Sequence, residues 1–244
     1  MRLLAGALQA NELRPMTFQS PRRRAFSRFE ALALCSVALL SGAALLPAIA
    51  QGSIFDVFGR ARENARSSSC QSNLKQLGLG VLQYVQDYDE KYPPATTTDK
   101  TLGNSGYGWA GLIQPYIKST QIYQCPSEKH PGVSNPDTTK PGYTDYWLNS
   151  RMTGQELASI NEPARILLSG DGDGGSPAST ARYNIPALPY SWRTTPGSPA
   201  RRHVNQANYC FADGHVKRLA PSEVTMAPLA QMSKYKASAT FSPR

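Results

Sequence analysis

Residues 70–88 read CQSNLKQLGLGVLQYVQDY, and their apolar side chains recur at steps of three and four residues. This spacing places one apolar stripe along an α-helix about 28 Å long, with polar side chains on its other faces. Gly78 and Gly80 each lower helix stability by about 1 kcal/mol relative to Ala, so packing has to hold the helix. Small side chains there also let a sheet or a neighbouring helix approach closely. The stripe consists of Cys70, Leu74, Leu77, Val81, Tyr84, Val85 and Tyr88.

The segments on either side of the stripe set the limits of the helix. Lys91-Tyr92-Pro93-Pro94 ends it, because proline restricts the residue before it and cannot continue the hydrogen-bond ladder. Four charged residues precede the stripe and are interpreted as an ordinary solvated helix face rather than a binding patch. They are Arg60, Arg62, Glu63 and Arg66.

A second segment, ANYCFADGHVKRL at residues 207–219, predicts a β-hairpin. Its first half alternates between apolar and other side chains, as a strand does, and Asp213-Gly214 supplies a tight turn. Glycine suits that turn because it accepts a positive φ. His203 precedes Asp213 with nine residues between them, which makes an H-x9-DG pattern.

Helix and hairpin together predict an α+β fold, with a long N-terminal helix packed on an antiparallel β-sheet. The globular domain is assigned to residues 51–225, and residues 226–244 are predicted to be a loose C-terminal tail. The other predicted elements are a short helix at 109–117, an extended segment at 122–127, strands at 143–148 and 164–168, and an irregular insertion at 171–202.

The composition fits a globular domain with an additional basic segment. The chain has 244 residues, 40% apolar and 18% charged, which excludes wholesale disorder. Its net charge is +9, but residues 1–25 contain five Arg and one Glu, so the remaining 219 residues carry only +5. No nucleic-acid partner is therefore expected.

Residues 1–50 are predicted to be an export segment. An arginine cluster precedes residues 31–50, a run of twenty residues without a charge, and this order places the N-terminal side in the cytoplasm. Arg23 and Arg24 with Phe26 also resemble a twin-arginine export signal, whose apolar region is typically this mild. The expected destination is the cell envelope or periplasm.

Two ways of processing this segment remain open. Ala48 and Ala50 have the small-residue spacing that signal peptidase accepts, which predicts a mature chain beginning at Gln51. Alternatively, the order Ala25, Phe26 and Glu30 resembles a type IV prepilin leader, which predicts a mature chain beginning at Phe26. In the second case residues 31–50 remain as a helix in the inner membrane, and the mature N-terminus decides between the two.

Several motifs together resemble one bacterial family. They are ARENAR at 61–66, SCQSNLKQLG at 69–78, YVQDY at 84–88, Cys125-Pro126-Ser127, FADGHV at 211–216 and the H-x9-DG pattern. From about residue 60 to 219 the chain resembles pseudopilin-like proteins with the prepilin-type processing-associated H-x9-DG domain (DUF1559-like). The resemblance implies a pilin-like fold and a non-enzymatic envelope protein of a type II secretion or type IV pilus-like assembly.

The same resemblance implies partners and a disulfide. The partners are other pilin-like subunits or secretion machinery, with Glu30 as the charge that registers subunits. Cys70 and Cys125 belong to family-like motifs and are expected to pair in an oxidising compartment, although four cysteines allow three pairings in all. The alternative function, from another class, is a solitary exported module that is released after Ala50 and binds a carbohydrate or a protein.

The remaining chemistry is sparse. His203, Asp213 and Gly214 are predicted to be structural, with His203 hydrogen-bonded near the hairpin turn, since no nucleophile motif accompanies them. Asp171 and Asp173 lie in a DGDGG loop and are the candidate ligands for Ca²⁺, although a plain turn is the more common role of such a loop. No other cofactor is expected, and the protein is not predicted to be an enzyme.

Overall fold

The structure is a computed structural model that describes residues 29, 31–37, 53–96, 108–128 and 136–243, with residues 53–55 described by their backbone alone. The chain divides into two units, Met1–Ser53 and Ile54–Arg244. In the first unit, residues 31–37 are helical and exposed. No helix within the described ranges is both long enough and apolar enough to cross a membrane. The predicted export and processing residues lie outside those ranges: Arg23, Arg24, Ala25, Phe26, Glu30, Ala48, Ala50 and Gln51.

The long helix α1 spans Ser53–Asp87 and confirms the predicted helix. Five of the stripe residues are at most 1% exposed: Cys70, Leu74, Leu77, Val81 and Val85. Tyr88, predicted on the same stripe, lies just beyond the helix and is 53% exposed. The buried stripe therefore ends at Val85. The ring of Tyr88 stacks on the outer side of Tyr84, with 4.2 Å between ring centroids.

A five-stranded sheet lies against α1. Its strands are β1 Tyr146–Asn149, β2 Leu167–Asp171, β3 Asn184–Ile185, β4 Ala207–Phe211 and β5 Val216–Leu219. Their order is β3-β1-β2-β4-β5, and every pair is antiparallel except β1 with β3. The structure thus confirms the α+β class and the predicted hairpin, which is β4 and β5.

Short elements complete the fold. The α-helices are α2 Trp109–Leu112 and α3 Tyr190–Thr194. The 3₁₀ helices are Gln114–Tyr116, Thr120–Tyr123, Ser150–Met152, Leu157–Ser159, Pro163–Arg165, Pro199–Arg201, Pro221–Glu223 and Leu229–Tyr235. Strands β6 Val224–Thr225 and β7 Ala239–Thr240 form a second, parallel sheet. The segment predicted to be extended at 122–127 thus begins in a 3₁₀ turn, because Ser119 caps that turn with its side chain.

The sheet is buried on both faces. On one face, alternate strand residues such as Leu148, Leu168 and Cys210 pack in the same core cluster as the stripe of α1. On the other face, Trp147 and Tyr209 pack in a second cluster. Successive side chains of a strand point to opposite faces, so a sheet covered on both sides buries every residue of β2 and β4.

The second cluster corrects the prediction that residues 226–244 form a loose tail. Phe241 is fully buried and stacks on Trp147 with 5.2 Å between ring centroids. Its backbone N–H donates to Thr225, and β7 pairs with β6. The second face of the sheet needs an apolar cover, and this segment supplies part of it. The region 171–202 likewise contains β3, α3 and a 3₁₀ turn rather than only irregular chain.

Gly78 and Gly214 permit close contact between α1 and the hairpin. A Cβ atom on Gly78 would lie 2.6 Å from Cys210 Sγ. Gly214 has φ +82°, and a Cβ there would lie 2.8 Å from Leu82 Cδ1. Both positions therefore require glycine, one for space and the other for space and backbone conformation.

Candidate functional site

Four segments meet between α1 and the sheet. Cys70 comes from α1, Cys125 from the chain after the 3₁₀ turn at Thr120–Tyr123, Asp171 from the end of β2 and His203 from the turn before β4. One sulfur, nitrogen or oxygen atom from each side chain lies within 4.8 Å of the other three. These four residues, called here the buried cluster, are all at most 3% exposed.

Cys70 and Cys125 form a disulfide, as the family resemblance implied, with 5.2 Å between their Cα atoms and 55 residues of sequence separation. The bond ties α1 to the loop that follows the 3₁₀ turn. Of the other cysteines, Cys35 is exposed and Cys210 is buried with a free thiol. Burial raises the pKa of Cys210 to about 12, which keeps this thiol protonated and unreactive at neutral pH.

His203 is held between two carboxylates. Its Nδ1 lies 2.7 Å from Glu63 Oε1 and its Nε2 lies 3.2 Å from Asp171 Oδ2. Burial of the imidazole disfavours its protonated form, but the hydrogen bonds and charges of Asp171 and Glu63 outweigh burial and raise the pKa of His203 above 6.5. In the protonated form both ring nitrogens donate, one to each carboxylate, which is why the two carboxylates raise this pKa.

The expected position of His203 was wrong. It lies at the opposite end of β4 from Asp213 and Gly214, and its partners are on α1 and β2 rather than at the hairpin turn. At the turn, Asp213 Oδ1 instead accepts from the backbone N–H of His215 at 3.0 Å. The whole length of β4 therefore separates His203 from Asp213.

The H-x9-DG pattern fastens β4 to α1 at both ends. His203 contacts Glu63 at one end, and Gly214 O accepts from Lys75 Nζ at 2.8 Å at the other. Glu63 and Lys75 are twelve residues apart on α1, about 18 Å of helix. Between them, Asn208 Oδ1 accepts from Gln71 Nε2 at 3.0 Å. The H-x9-DG pattern thus has a structural role: its two ends hold the two ends of β4 against α1.

A cleft of about 490 Å³ opens beside the buried cluster. Glu63 and Ser127 line it, and Ser127 Oγ donates to Glu63 Oε1 at 2.7 Å. Arg202 also lines it, pairs with Glu128 and donates to Gly172 O at 2.9 Å. Ser127 therefore contacts the carboxylate and not the imidazole, and His203 itself is fully buried. This geometry does not match a serine nucleophile with its general base.

Asp171 and Asp173 do not share a site, which corrects the Ca²⁺ prediction. Asp171 Oδ2 accepts from the Asn208 N–H at 2.6 Å inside the core. Asp173 Oδ1 accepts from the Gly175 N–H at 3.1 Å in an exposed turn. Within the described ranges, Asp171 groups with Cys70, Cys125 and His203 instead.

A second cleft, of about 550 Å³, lies between the α3 region and the C-terminal segment. Tyr190 and Tyr235 line it and are 81% and 51% exposed. Arg193 and Gln231 add polar groups. The sequence did not indicate this cleft, because half of it comes from the segment that was predicted to be a loose tail.

A sequence family named SBP_bac_10 and described as "Protein of unknown function (DUF1559)" matches residues 59–211. The chain belongs to the DUF1559 family. The match runs from α1 to the end of β4 and so contains the whole buried cluster and Glu63. No curated protein and no solved structure matches the chain.

In this DUF1559 protein, Glu63 is the site residue that sequence analysis missed. It was assigned to a solvated face, yet its carboxylate contacts both His203 and Ser127. Glu63 precedes Cys70 by seven residues, which is two helix turns, so both lie on the same face of α1. This seven-residue spacing indicates that Glu63 lies on the packed face of α1, and it can be read from the sequence. The partner 140 residues away was not visible in the sequence.

Proposed function

We propose that this DUF1559 protein is a non-enzymatic, exported, pseudopilin-like component of the bacterial envelope that acts by assembling with other subunits through α1. The observation that carries the proposal is the exposed start of α1. From Asp56 to Arg66, every side chain is exposed except the half-buried Glu63, whereas the helix is packed from Ser67 onward.

The exposed segment needs a partner. Val57 and Phe58 are 65% and 66% exposed on this part of α1. Glu63 and Asn64 contact the sheet side of the fold, but the exposed helical turns before them form a short helix end. Such an end is marginal in water, since most helical stability in proteins comes from a packed apolar face. A second helix of the same kind would bury both side chains and stabilise the segment. Helix-to-helix association between subunits is the mode of assembly that pilin-like proteins imply.

Site-specific photo-crosslinking in cells tests this assembly. A photoreactive residue at position 59 has open space around it, because a Cβ on Gly59 meets no atom within 4 Å. We expect crosslinked multimers from position 59, and we expect the double substitution Val57→Asp/Phe58→Asp to abolish them. The matched controls are a photoreactive residue at Lys217, exposed on β5, and the substitution Tyr190→Asp.

Two results would refute assembly through α1. One is the absence of multimers from position 59 in envelope fractions that contain the protein. The other is a multimer yield that Val57→Asp/Phe58→Asp leaves unchanged. Sequencing the mature N-terminus of the same material gives independent information: a start at Phe26 retains residues 31–50 for anchoring, and a start at Gln51 favours a released module.

The second cleft favours one further candidate function, an exported carbohydrate-binding module. Exposed tyrosines at the edge of an open cleft provide flat apolar faces, and Arg193 and Gln231 provide hydrogen-bond donors. Purified murein sacculi and an array of bacterial glycans are suitable probes. Binding that Tyr190→Ala abolishes and Tyr88→Ala preserves would support this function. No binding to either probe would refute the carbohydrate-binding function.

A further inference from the structure

Two of the six distances between potential ligand atoms in the buried cluster match those of a tetrahedral metal site. His203 Nε2 lies 3.7 Å from Cys125 Sγ and 3.2 Å from Asp171 Oδ2. Around a tetrahedral Zn²⁺ with ordinary bond lengths, a sulfur and a nitrogen ligand are about 3.5 Å apart and a nitrogen and an oxygen ligand about 3.4 Å. Two edges of the tetrahedron are therefore already formed. The two sulfur atoms are bonded to each other, and they would have to separate to about 3.8 Å.

The hydrogen bonds that orient metal ligands are also in place. A histidine that binds zinc through one nitrogen usually donates its other N–H to a carboxylate, which fixes the ring. Glu63 accepts from His203 Nδ1 in this way and leaves Nε2 facing the sulfur atoms and Asp171. The backbone N–H of Asn208 holds Asp171 Oδ2 at 2.6 Å.

The charge of the cluster favours a cation. Asp171 is fully buried, and its Oδ1 has no hydrogen-bond partner among the described residues. Asp171 Oδ2 is already held by His203 and by the backbone N–H of Asn208, so Oδ1 is the oxygen that remains to bind a cation. When the disulfide is intact, Cys70 and Cys125 supply no thiolate and cannot bind zinc strongly.

We propose that reduction of the Cys70–Cys125 disulfide converts the buried cluster into a closed zinc site with four protein ligands. A dithiol reductant delivers two electrons and two protons, the S–S bond breaks, and the reductant becomes a disulfide. Zn²⁺ then displaces the two thiol protons and the proton that His203 Nε2 carries when the ring is protonated, and these protons pass to solvent. The ion binds both sulfur atoms, His203 Nε2 and a carboxylate oxygen of Asp171. A disulfide oxidant reverses this step: it takes up two electrons, and two protons from solvent, and becomes a dithiol, while the two sulfur atoms rejoin and the ion is released. This inference is independent of whether the subunits assemble.

Cobalt titration of the full chain tests the proposal, in a Cys35→Ser background that removes the exposed free thiol. The protein is reduced with a phosphine, which does not bind the metal strongly. We expect one Co²⁺ per chain, with the thiolate charge-transfer and visible bands of a tetrahedral site, and displacement by Zn²⁺. The same protein with its disulfide intact is the control and contains no substitution in the site. It should show no bands.

Variants locate the site. Glu63→Gln should weaken Zn²⁺ binding by about 10- to 100-fold because it removes the group that orients the imidazole. Glu162→Gln, at an exposed carboxylate that pairs with Arg165 on its own turn, should leave binding unchanged. Cys70→Ser/Cys125→Ser removes both sulfur ligands and should remove the charge-transfer band and the tetrahedral spectrum.

Three results would overturn the proposal: reduced, folded protein without cobalt bands, bands that persist in Cys70→Ser/Cys125→Ser, or equal bands in the oxidised protein. If the reduced protein unfolds without metal, recovery of its far-ultraviolet circular dichroism on addition of Zn²⁺ supports the site. Failure of Zn²⁺ both to bind and to restore structure overturns it.

Discussion

The contact between Gly78 and the hairpin gives the sharpest stability prediction. In Gly78→Ala the new methyl group would lie 2.6 Å from Cys210 Sγ and 3.5 Å from the backbone of Gly214. Cys210 is fully buried in β4, so its sulfur cannot move aside without moving the strand. Overpacking of this kind typically destabilises a protein by about 1–3 kcal/mol. The better helix propensity of alanine offsets about 1 kcal/mol of that loss.

Gly80→Ala is the matched control on the same helix. A Cβ at Gly80 has its nearest neighbours at 3.8–3.9 Å, which is ordinary contact. This variant should gain up to about 1 kcal/mol, since it has the same propensity benefit without the clash. Because the propensity term cancels between the two, we expect Gly78→Ala to be less stable than Gly80→Ala by about 1–3 kcal/mol.

Urea unfolding of the oxidised protein, followed by circular dichroism and by tryptophan fluorescence, measures both values. The double variant Gly78→Ala/Cys210→Ala removes the sulfur that the methyl group meets and should recover part of the loss. A double-mutant cycle would then give a favourable coupling energy between the two substitutions. Equal stability of Gly78→Ala and Gly80→Ala, or a cycle without coupling, would refute the argument from close packing.

Three further predictions concern the buried cluster and the C-terminal segment. Because the pKa of His203 is raised in the folded state, its contribution to stability is complete below the unfolded value of about 6.5 and is lost as pH rises through the folded value. The free energy of unfolding should therefore fall on going from mildly acidic to alkaline pH, and His203→Gln should flatten this fall. Replacing Cys70 and Cys125 by Ser should lower stability by about 4 kcal/mol, since the bond closes a loop of 55 residues. Phe241→Ala should cost about 3–5 kcal/mol, because its ring is fully buried.

Each of these predictions has its own control. For the pH effect, a wild-type free energy of unfolding that rises from mildly acidic to alkaline pH would contradict the predicted fall. For the disulfide, the reduced wild type in metal-free buffer should match the double serine variant, and a difference below about 1 kcal/mol between oxidised and reduced protein would contradict the estimate. For the C-terminal segment, Tyr235→Ala at a half-exposed side chain should change stability by less than about 0.5 kcal/mol. A similarly small effect of Phe241→Ala would contradict the packing of the C-terminal segment on the sheet and would support the prediction of a loose tail.

The amphipathic helix and the hairpin were predictable because their signals are local. The stripe from Cys70 to Val85 depends on the period of an α-helix, and the Asp213-Gly214 turn depends on the backbone freedom of glycine. The Cys70–Cys125 pairing came from the family resemblance and not from spacing. Tyr88 shows the limit of a periodic argument, since the stripe continued in sequence after the packing layer had ended.

The buried cluster and the C-terminal segment were decided only by tertiary structure. His203 meets a carboxylate 140 residues earlier in the chain, and nothing in the residues around either of them specifies the other. Residues 226–244 have too weak a periodicity to predict strand or helix, yet Phe241 is buried because the second face of the sheet needs an apolar cover. The sequence by itself determined what each segment can form. Which segments meet depends on how the two faces of one sheet are covered, and that is a property of the whole chain.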